Sequence, residues 1–196
     1  MLPNSHPSSK LEAFRPRVEK YLHDGLVTST VQRDDLMLIG VFIHAYTYIE
    51  LNLHRAVRLF REAGLLSSRE AKRPAACDLT ALVLKGSAIL NLDATEREDL
   101  KVHLSEILLR QPFRNLLAHW GVSRLPDTDV LVFVTMDERD AKMAGDQTPH
   151  FNGLYYAMAL GADLRGLAMH IQKYESWLAL RVAEWQHGLF PEASRD

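Results

Sequence analysis

The sequence predicts a mostly helical fold, a helical bundle with a small β-hairpin insertion before the last helix. Two long stretches carry apolar residues at alternating steps of three and four, which is the spacing of one face of an α-helix. Residues 130–135 are instead continuously apolar and β-branched, which is typical of a buried strand. At 196 residues and 47% hydrophobic content, we expect a loose tail over residues 1–8 and a single domain over residues 9–196.

The first half of the chain is predicted to begin with two helices. Ser9 to Gly25 forms the first, with the glycine placed to end it. Ser29 to Gln32 is a capping box for the second, because the hydroxyl and the carboxamide can each satisfy a free backbone amide. Glu50 interrupts the apolar stripe of this second helix, and the stripe consists of Leu36, Ile39, Ile43, Tyr46, Leu53, Val57 and Phe60.

Three further helices are predicted before the strands. Asp78 to Leu92 is apolar enough for a buried helix. A second capping box, Thr95 to Glu98, opens a helix that runs to about Arg110. Pro112 predicts a break and a fresh short helix, because proline has no backbone amide to lose at the first helical position. Gly121 is expected to end that short helix.

The last third of the chain contains the predicted insertion, at about residues 130–160. Val130 to Thr135 and Leu154 to Leu160 are the two strands of the hairpin, and the polar stretch Asp137 to Pro149 is the loop between them. Asp163 is expected to cap the closing helix. The stripe of that helix consists of Leu164, Leu167, Ile171, Tyr174, Leu178, Val182 and Trp185.

Composition and missing motifs exclude several classes of function. The formal charge of −2 gives no global sign of nucleic-acid binding, so any polyanion site is local. Cys77 is the only cysteine, and no nucleotide-binding loop, nucleophile elbow or H-E-x-x-H motif is present. The histidines do not pair at metal-ligand spacing, so we expect neither a metal nor a cofactor. The stretch Leu36 to Leu51 is too short to span a membrane comfortably, which favours a cytoplasmic protein without a membrane partner.

The candidate functional site is a short motif that contains Arg114, Asn115 and His119. Residues 113–120 read Phe-Arg-Asn-Leu-Leu-Ala-His-Trp. This segment resembles the R-x(4–6)-H signature of HEPN domains (higher eukaryotes and prokaryotes nucleotide-binding), and the resemblance extends loosely from the Glu50 helix to the last helix. It implies a helical, metal-independent ribonuclease that acts on RNA as a homodimer in a toxin–antitoxin or defence system. An antitoxin or another defence-system protein would then be its partner.

Other pairs in this chain also match the bare arginine–histidine spacing. Asn115 favours the first pair, because the family prefers a polar residue after the arginine. Neighbouring apolar residues would anchor the motif helix, namely Phe113, Leu116, Leu117 and Trp120. The alternative is a structural arginine and histidine that satisfy carbonyls at a helix end. The other matches include Arg97/His103, Arg165/His170 and Arg181/His187.

The resemblance implies a role for each residue of the motif. His119 would act as general acid or base on the ribose 2′-OH or the leaving oxygen, Arg114 would stabilise charge on the phosphate, and Asn115 would position it. Arg114 and His119 diverge by about 140° around a helix, so we expect the long arginine, or a second copy, to complete the site. The rival interpretation is a non-catalytic HEPN-like module that binds a nucleotide, RNA or a partner protein. A purely structural bundle is the third.

Two further features are candidates for supporting roles. Glu50 would orient Arg114 or Asn115, because a carboxylate on a buried stripe is costly unless it is paired. The alternative is that Glu50 lies at the edge of the stripe, in solvent. A basic stretch is a candidate for holding RNA phosphates, or else forms a solvated helix face. It consists of Arg55, Arg58 and Arg61 with Arg69, Lys72 and Arg73.

Overall fold

The computed structural model describes residues 9–24, 30–67, 69, 76–144 and 153–191. These residues are mostly helical, and a small antiparallel sheet precedes the last helix along the chain. The predicted fold class is therefore confirmed, with three strands in the sheet rather than the two of the expected hairpin. The predicted tail lies outside the described residues.

The helices and the strands are numbered separately along the chain. The helices are α1 (Ser9–Glu12), α2 (Arg15–His23), α3 (Arg33–Glu62), α4 (Ala76–Ser87), α5 (Ala94–His119), α6 (Glu138–Ala144) and α7 (Gly161–Leu189). The strands are β1 (Gly121–Arg124), β2 (Val130–Thr135) and β3 (Tyr155–Leu160). β2 is the central strand of the sheet and runs antiparallel to both of its neighbours.

The chain divides into two compact units. The first unit comprises Met1–Ile43 and Leu109–His170, and the second comprises His44–Leu108 and Ile171–Asp196. The dividing points fall inside α3, α5 and α7. The sheet belongs entirely to the first unit. The interpretation of residues 9–196 as one domain stays a prediction.

In the first unit, apolar side chains cover the sheet from both sides. Every residue from Val130 to Val134 is buried, which accounts for the uninterrupted apolar sequence of β2. Val130, Val132 and Val134 pack in one cluster with side chains of α1, α2 and β3. Phe133 alternates with them along the strand and lies 6.4 Å from Phe113 of α5, ring centre to ring centre. The sheet therefore supports the helix that carries the candidate motif.

Tyr156 joins β3 to α2 in the same unit. Its hydroxyl accepts a hydrogen bond from Arg15 Nη1 at 3.3 Å and donates one to Glu19 Oε1 at 3.0 Å. Burial, and then the bond to the Glu19 carboxylate, raise the pKa of this phenol to about 12. The hydroxyl is thus kept neutral and is fixed between the Arg15 guanidinium and the Glu19 carboxylate.

A buried ion-pair network ties the end of β1 to the starts of α3 and α7. Arg124 binds Asp35 through two nitrogens, with Nε donating to Oδ2 at 3.0 Å, and its Nη1 donates to Asp129 Oδ1 at 3.0 Å. The side chains of Arg124 and Asp35 are only 14% and 4% exposed. The backbone carbonyl of Asp129 accepts the Gly161 N–H, and its Oδ2 accepts the Ala162 N–H, at the start of α7. Asp35 first, and then Asp129, raise the pKa of Arg124.

The helix starts differ from those predicted. α5 begins at Ala94, where Asp93 and Glu96 form a reciprocal box: the Glu96 N–H donates to Asp93 Oδ1 at 2.8 Å and the Asp93 N–H to Glu96 Oε2 at 3.0 Å. The predicted box at Thr95 is therefore wrong by two residues, because the aspartate captures the free amides first. The predicted box at residues 29–32 begins outside the described residues, and α3 starts after it.

Proline shapes the first helix but does not break α5. The predicted helix Ser9 to Gly25 is divided into α1 and α2, because Pro16 has no N–H for a continuous helix and lies instead in the first turn of α2. Pro112, in contrast, lies inside α5. The predicted break there is wrong: one lost hydrogen bond is tolerated where the flanking turns are anchored by buried side chains such as Phe113.

The apolar stripes are largely as predicted. In α3, Leu36 is 56% exposed, so its predicted place in the core is wrong, and Phe42 and Ile49 are buried in addition. In α7, Leu167 is only half-buried, and the other stripe residues are buried. α4 ends at Ser87, five residues before the predicted end. The predicted polar loop contains α6, and residues 145–152 lie outside the described residues.

α3 is long and apolar enough to cross a membrane by length and composition alone. The apolar stretch Leu36 to Leu51 underestimates the length of this helix, because the helix continues in both directions. Core helices of soluble proteins meet the same criterion. A cytoplasmic location stays a prediction.

Candidate functional site

The candidate motif occupies the last two turns of α5. Phe113, Leu116 and Trp120 are buried on one side of the helix and fix its orientation within the first unit. Phe113 also meets Phe42 of α3 edge to face, with ring centres 5.3 Å apart. The chain leaves the helix after His119 and enters β1 at Gly121, so the predicted end of the helix is confirmed. The motif is therefore presented by a rigid helix end.

Arg114 and Asn115 contact each other directly. Arg114 Nη1 donates a hydrogen bond to Asn115 Oδ1 at 3.2 Å, and both side chains are half-buried. The Nε atom of Arg114 is fully buried, so the stem of the side chain lies against the protein. Asn115 thus holds the guanidinium of Arg114 in this structure, whereas the resemblance implies that it positions the phosphate.

His119 is exposed at the surface. Its imidazole makes no hydrogen bond or ion pair with any residue that the structure describes. A purely structural histidine would bind a carbonyl oxygen at the helix end, and neither ring nitrogen of His119 does so. Both ring nitrogens are therefore available to a ligand.

A narrow strip of the α5 surface separates Arg114 from His119. The two residues diverge by about 140° around the helix, and Asn115 and Ala118 lie between them. Ala118 is exposed and contributes only a methyl group. A phosphate group can therefore approach the helix surface between the two functional side chains.

The continuity of α5 adds two residues that the predicted break separates from the motif. Arg110 lies one turn before Arg114, and Gln111 lies one turn before Asn115. Both are half-buried in the first unit. Each residue lies four positions before a residue of the motif. This spacing puts the two on one helix face only because α5 continues through Pro112.

The competing arginine–histidine pairs include side chains that are committed to structural contacts. His103 stacks on Trp177 at 4.2 Å between ring centres, and its Nδ1 lies 2.7 Å from the carbonyl oxygen of Asp99. Arg181 forms an ion pair with Glu184 at 2.9 Å. These contacts weaken the matches Arg97/His103 and Arg181/His187 and do not bear on Arg165/His170.

Glu50 is half-buried in α3. Its exposure is intermediate between the buried, paired carboxylate and the solvent-exposed carboxylate that the sequence allows. It belongs to the second unit, whereas Arg114 and Asn115 belong to the first. The orientation of Arg114 or Asn115 by Glu50 stays a prediction.

Two members of the basic stretch have protein partners. Arg55 donates to Asn52 Oδ1 at 3.0 Å and to Gln186 Oε1 at 3.3 Å. Arg58 forms an ion pair with Glu62 at 2.8 Å, and this hydrogen bond raises the pKa of the guanidinium. These contacts favour a solvated, self-paired helix face.

The rest of the basic stretch has no described geometry that points to RNA. Arg61 and Arg69 are exposed, and Lys72 and Arg73 lie outside the described residues. Binding of RNA phosphates by this stretch stays a prediction. Within the described ranges, no group of three or more histidine, cysteine, aspartate or glutamate side chains could hold a metal ion.

No protein-family model, no curated protein and no solved structure matches this chain.

Proposed function

We propose that this chain is a metal-independent endoribonuclease of the HEPN type that acts as a toxin or defence effector. The observation that carries the proposal is the exposed His119 imidazole, which makes no hydrogen bond with a described residue, on the same helix end as an arginine that Asn115 holds by a hydrogen bond. A proton-transfer group and a positioned cation are what phosphodiester cleavage by a neighbouring hydroxyl requires. The partners that follow are RNA and an antitoxin or defence-system protein.

In the proposed reaction, His119 takes the proton of a ribose 2′-OH, whose oxygen then forms a bond to the adjacent phosphorus. The bond from phosphorus to the 5′-oxygen breaks, and that oxygen receives the proton back from the His119 imidazolium. The products are a 2′,3′-cyclic phosphate and a free 5′-hydroxyl. Arg114 stabilises the negative charge that builds up on the phosphoryl oxygens during the exchange.

We expect the purified protein to cleave RNA in the presence of EDTA and to leave 2′,3′-cyclic phosphate ends. DNA of the same sequence should remain intact, because it has no 2′-hydroxyl. Gel analysis with labelled strands, followed by identification of the ends by mass spectrometry, measures both. Activity that EDTA abolishes, or cleavage of DNA, would contradict the proposal.

A homodimer is the second expectation. Because Arg114 and His119 diverge around one helix, a second copy can supply the complementary group. Light scattering at micromolar concentration should give a mass near twice the 22.3 kDa of the chain. A monomer that retains full RNase activity would show that one chain holds the complete site.

Glu50 is proposed to act on the same site by orienting Arg114 or Asn115. A double-mutant cycle with Glu50→Gln and Asn115→Ala, scored by the free energy of unfolding, should then show coupling of about 0.5–3 kcal/mol. Glu62→Gln, at the far end of α3, is the matched control and should add independently to Asn115→Ala. If the effects of Glu50→Gln and Asn115→Ala on the free energy of unfolding are strictly additive, Glu50 lies at the edge of the apolar stripe of α3.

A non-catalytic binding module is the second candidate function. The favouring observation is again His119, because no described side chain orients its imidazole, whereas catalytic histidines are usually oriented by a hydrogen-bonded partner. The RNase assay separates the two: RNA binding without cleavage identifies the module.

A further inference from the structure

We infer that Gln111 is a specificity-determining residue that binds one adenine base of a single-stranded RNA lying along the end of α5. The inference rests on the proposed function for the identity of the ligand as RNA. It gives the site a sequence preference and assigns a role to a residue that the motif does not include.

Gln111 lies in the strip of the α5 surface that has Arg114 and His119 at its two edges. It is about 20° around the helix from Ala118 and one turn before Asn115. Gln111 and His119 are eight residues apart in one continuous helix, which is about 12 Å along the helix axis. A strand with its scissile phosphate at His119 can therefore pass over Gln111.

The carboxamide of Gln111 is available to a ligand. Gln111 is half-buried, and its side chain makes no hydrogen bond with any residue that the structure describes. The Asn115 carboxamide differs, because its oxygen accepts a hydrogen bond from Arg114 Nη1. The nearest acidic residue of α5 is Glu106, five positions earlier, and it lies about 140° away around the helix. Both the donor and the acceptor of Gln111 can therefore bind a base.

A carboxamide matches one base edge in particular. It presents one donor and one acceptor side by side, and adenine presents the complementary pair, its N6 amino group and N7. Guanine has two acceptors on the same edge, and the pyrimidines have no N7. Base edges of RNA are accessible mainly where the strand is single. The chemistry of Gln111 therefore favours an adenine in an unpaired strand.

The test compares three single-stranded 2′-O-methyl oligonucleotides, namely oligouridine, the same strand with one adenosine, and the same strand with one cytidine. The 2′-O-methyl group blocks attack by the ribose hydroxyl, so binding is measured without cleavage. Fluorescence anisotropy should show that the unsubstituted protein binds the adenosine strand about 5- to 150-fold more tightly than oligouridine, the range for one bidentate base contact. A ratio of affinities within one protein cancels any uniform effect of a substitution.

Two substitutions of Gln111 have different expected results. Gln111→Ala should abolish the preference for adenosine, because no polar group remains to bind the base. Gln111→Glu should transfer the preference to the cytidine strand. A carboxylate has only acceptors, which suit the cytosine amino group but repel adenine N7.

Gln172→Ala is the matched control, because Gln172 is an exposed glutamine of α7. It should leave the preference for adenosine unchanged. Thermal melting of each variant confirms that the fold is intact. The inference is overturned if the unsubstituted protein does not prefer the adenosine strand, if the preference persists in Gln111→Ala, or if Gln172→Ala abolishes it equally.

Cleavage of the unmodified strands, measured in parallel, separates this inference from the proposed function. A preference for adenosine without cleavage supports base binding by Gln111 and identifies a binding module. Cleavage without such a preference retains the ribonuclease and removes Gln111 from its site. A protein that neither binds nor cleaves any of the strands overturns both.

Discussion

His119→Ala is expected to reduce RNA cleavage by about 100- to 10,000-fold, the range that one positioned proton-transfer group typically contributes. Arg114→Ala should cause a loss of similar size, because it removes the cation next to the developing phosphoryl charge. Rates under single-turnover conditions, with enzyme in excess, isolate the chemical step from product release. The folded state of the His119 variant should be unchanged, since His119 is exposed and forms no hydrogen bond or ion pair with the residues that the structure describes.

The control for His119 must be a histidine whose loss leaves the core intact. His170 is exposed on α7 in the same unit and follows Arg165 at the motif spacing, so His170→Ala tests the competing pair directly. His103 is unsuitable, because its stacking on Trp177 means that replacement would disturb packing. Full cleavage by His119→Ala, or an equal loss in His170→Ala, would refute the assignment of His119.

Asp35→Ala should lower the free energy of unfolding by about 3–5 kcal/mol, the usual cost of removing one partner of a buried ion pair. Asp35 is almost fully buried and binds two nitrogens of Arg124, so its loss leaves the half-buried guanidinium with the exposed Asp129 carboxylate and the Thr128 carbonyl oxygen as its remaining acceptors. Urea unfolding followed by circular dichroism measures the change.

Asp34→Ala is the matched control for this substitution. Asp34 is the preceding residue in the first turn of α3, but it is exposed. Its replacement should cost less than about 1 kcal/mol, as expected for a charge near a helix start. Equal destabilisation by the two variants would mean that the Asp35–Arg124 pair contributes no more than a surface charge.

β2 can be predicted from sequence residue by residue, whereas β1 cannot. Val130 to Thr135 is buried on both faces, and that environment demands an apolar, β-branched run that is visible without a structure. Gly121 to Arg124 has only one apolar residue besides its glycine. It is a strand because β2 offers it hydrogen-bond partners, and such partners depend on tertiary structure that local composition does not contain.

The candidate site can be predicted from the sequence only in part. The spacing of Asn115 and His119 places them on one helix face, and the exposed histidine agrees with that position. Arg110 and Gln111 escape the prediction, because Pro112 favours a break between two helices. The preference of proline for helix starts is a local tendency, and here the buried side chains on either side of it outweigh that tendency.

Both compact units are assembled from segments that lie far apart along the chain. Residues 44–108 need α7 to cover them: Trp185, for example, packs on Phe60 at 5.1 Å between ring centres. No single proteolytic cut can therefore release either unit without residues of the other. During synthesis the first unit cannot close until residue 170 has left the ribosome, and the second needs α7 as well. The early helices must consequently spend that interval with apolar faces exposed, which makes chaperone protection of the nascent chain important for its yield.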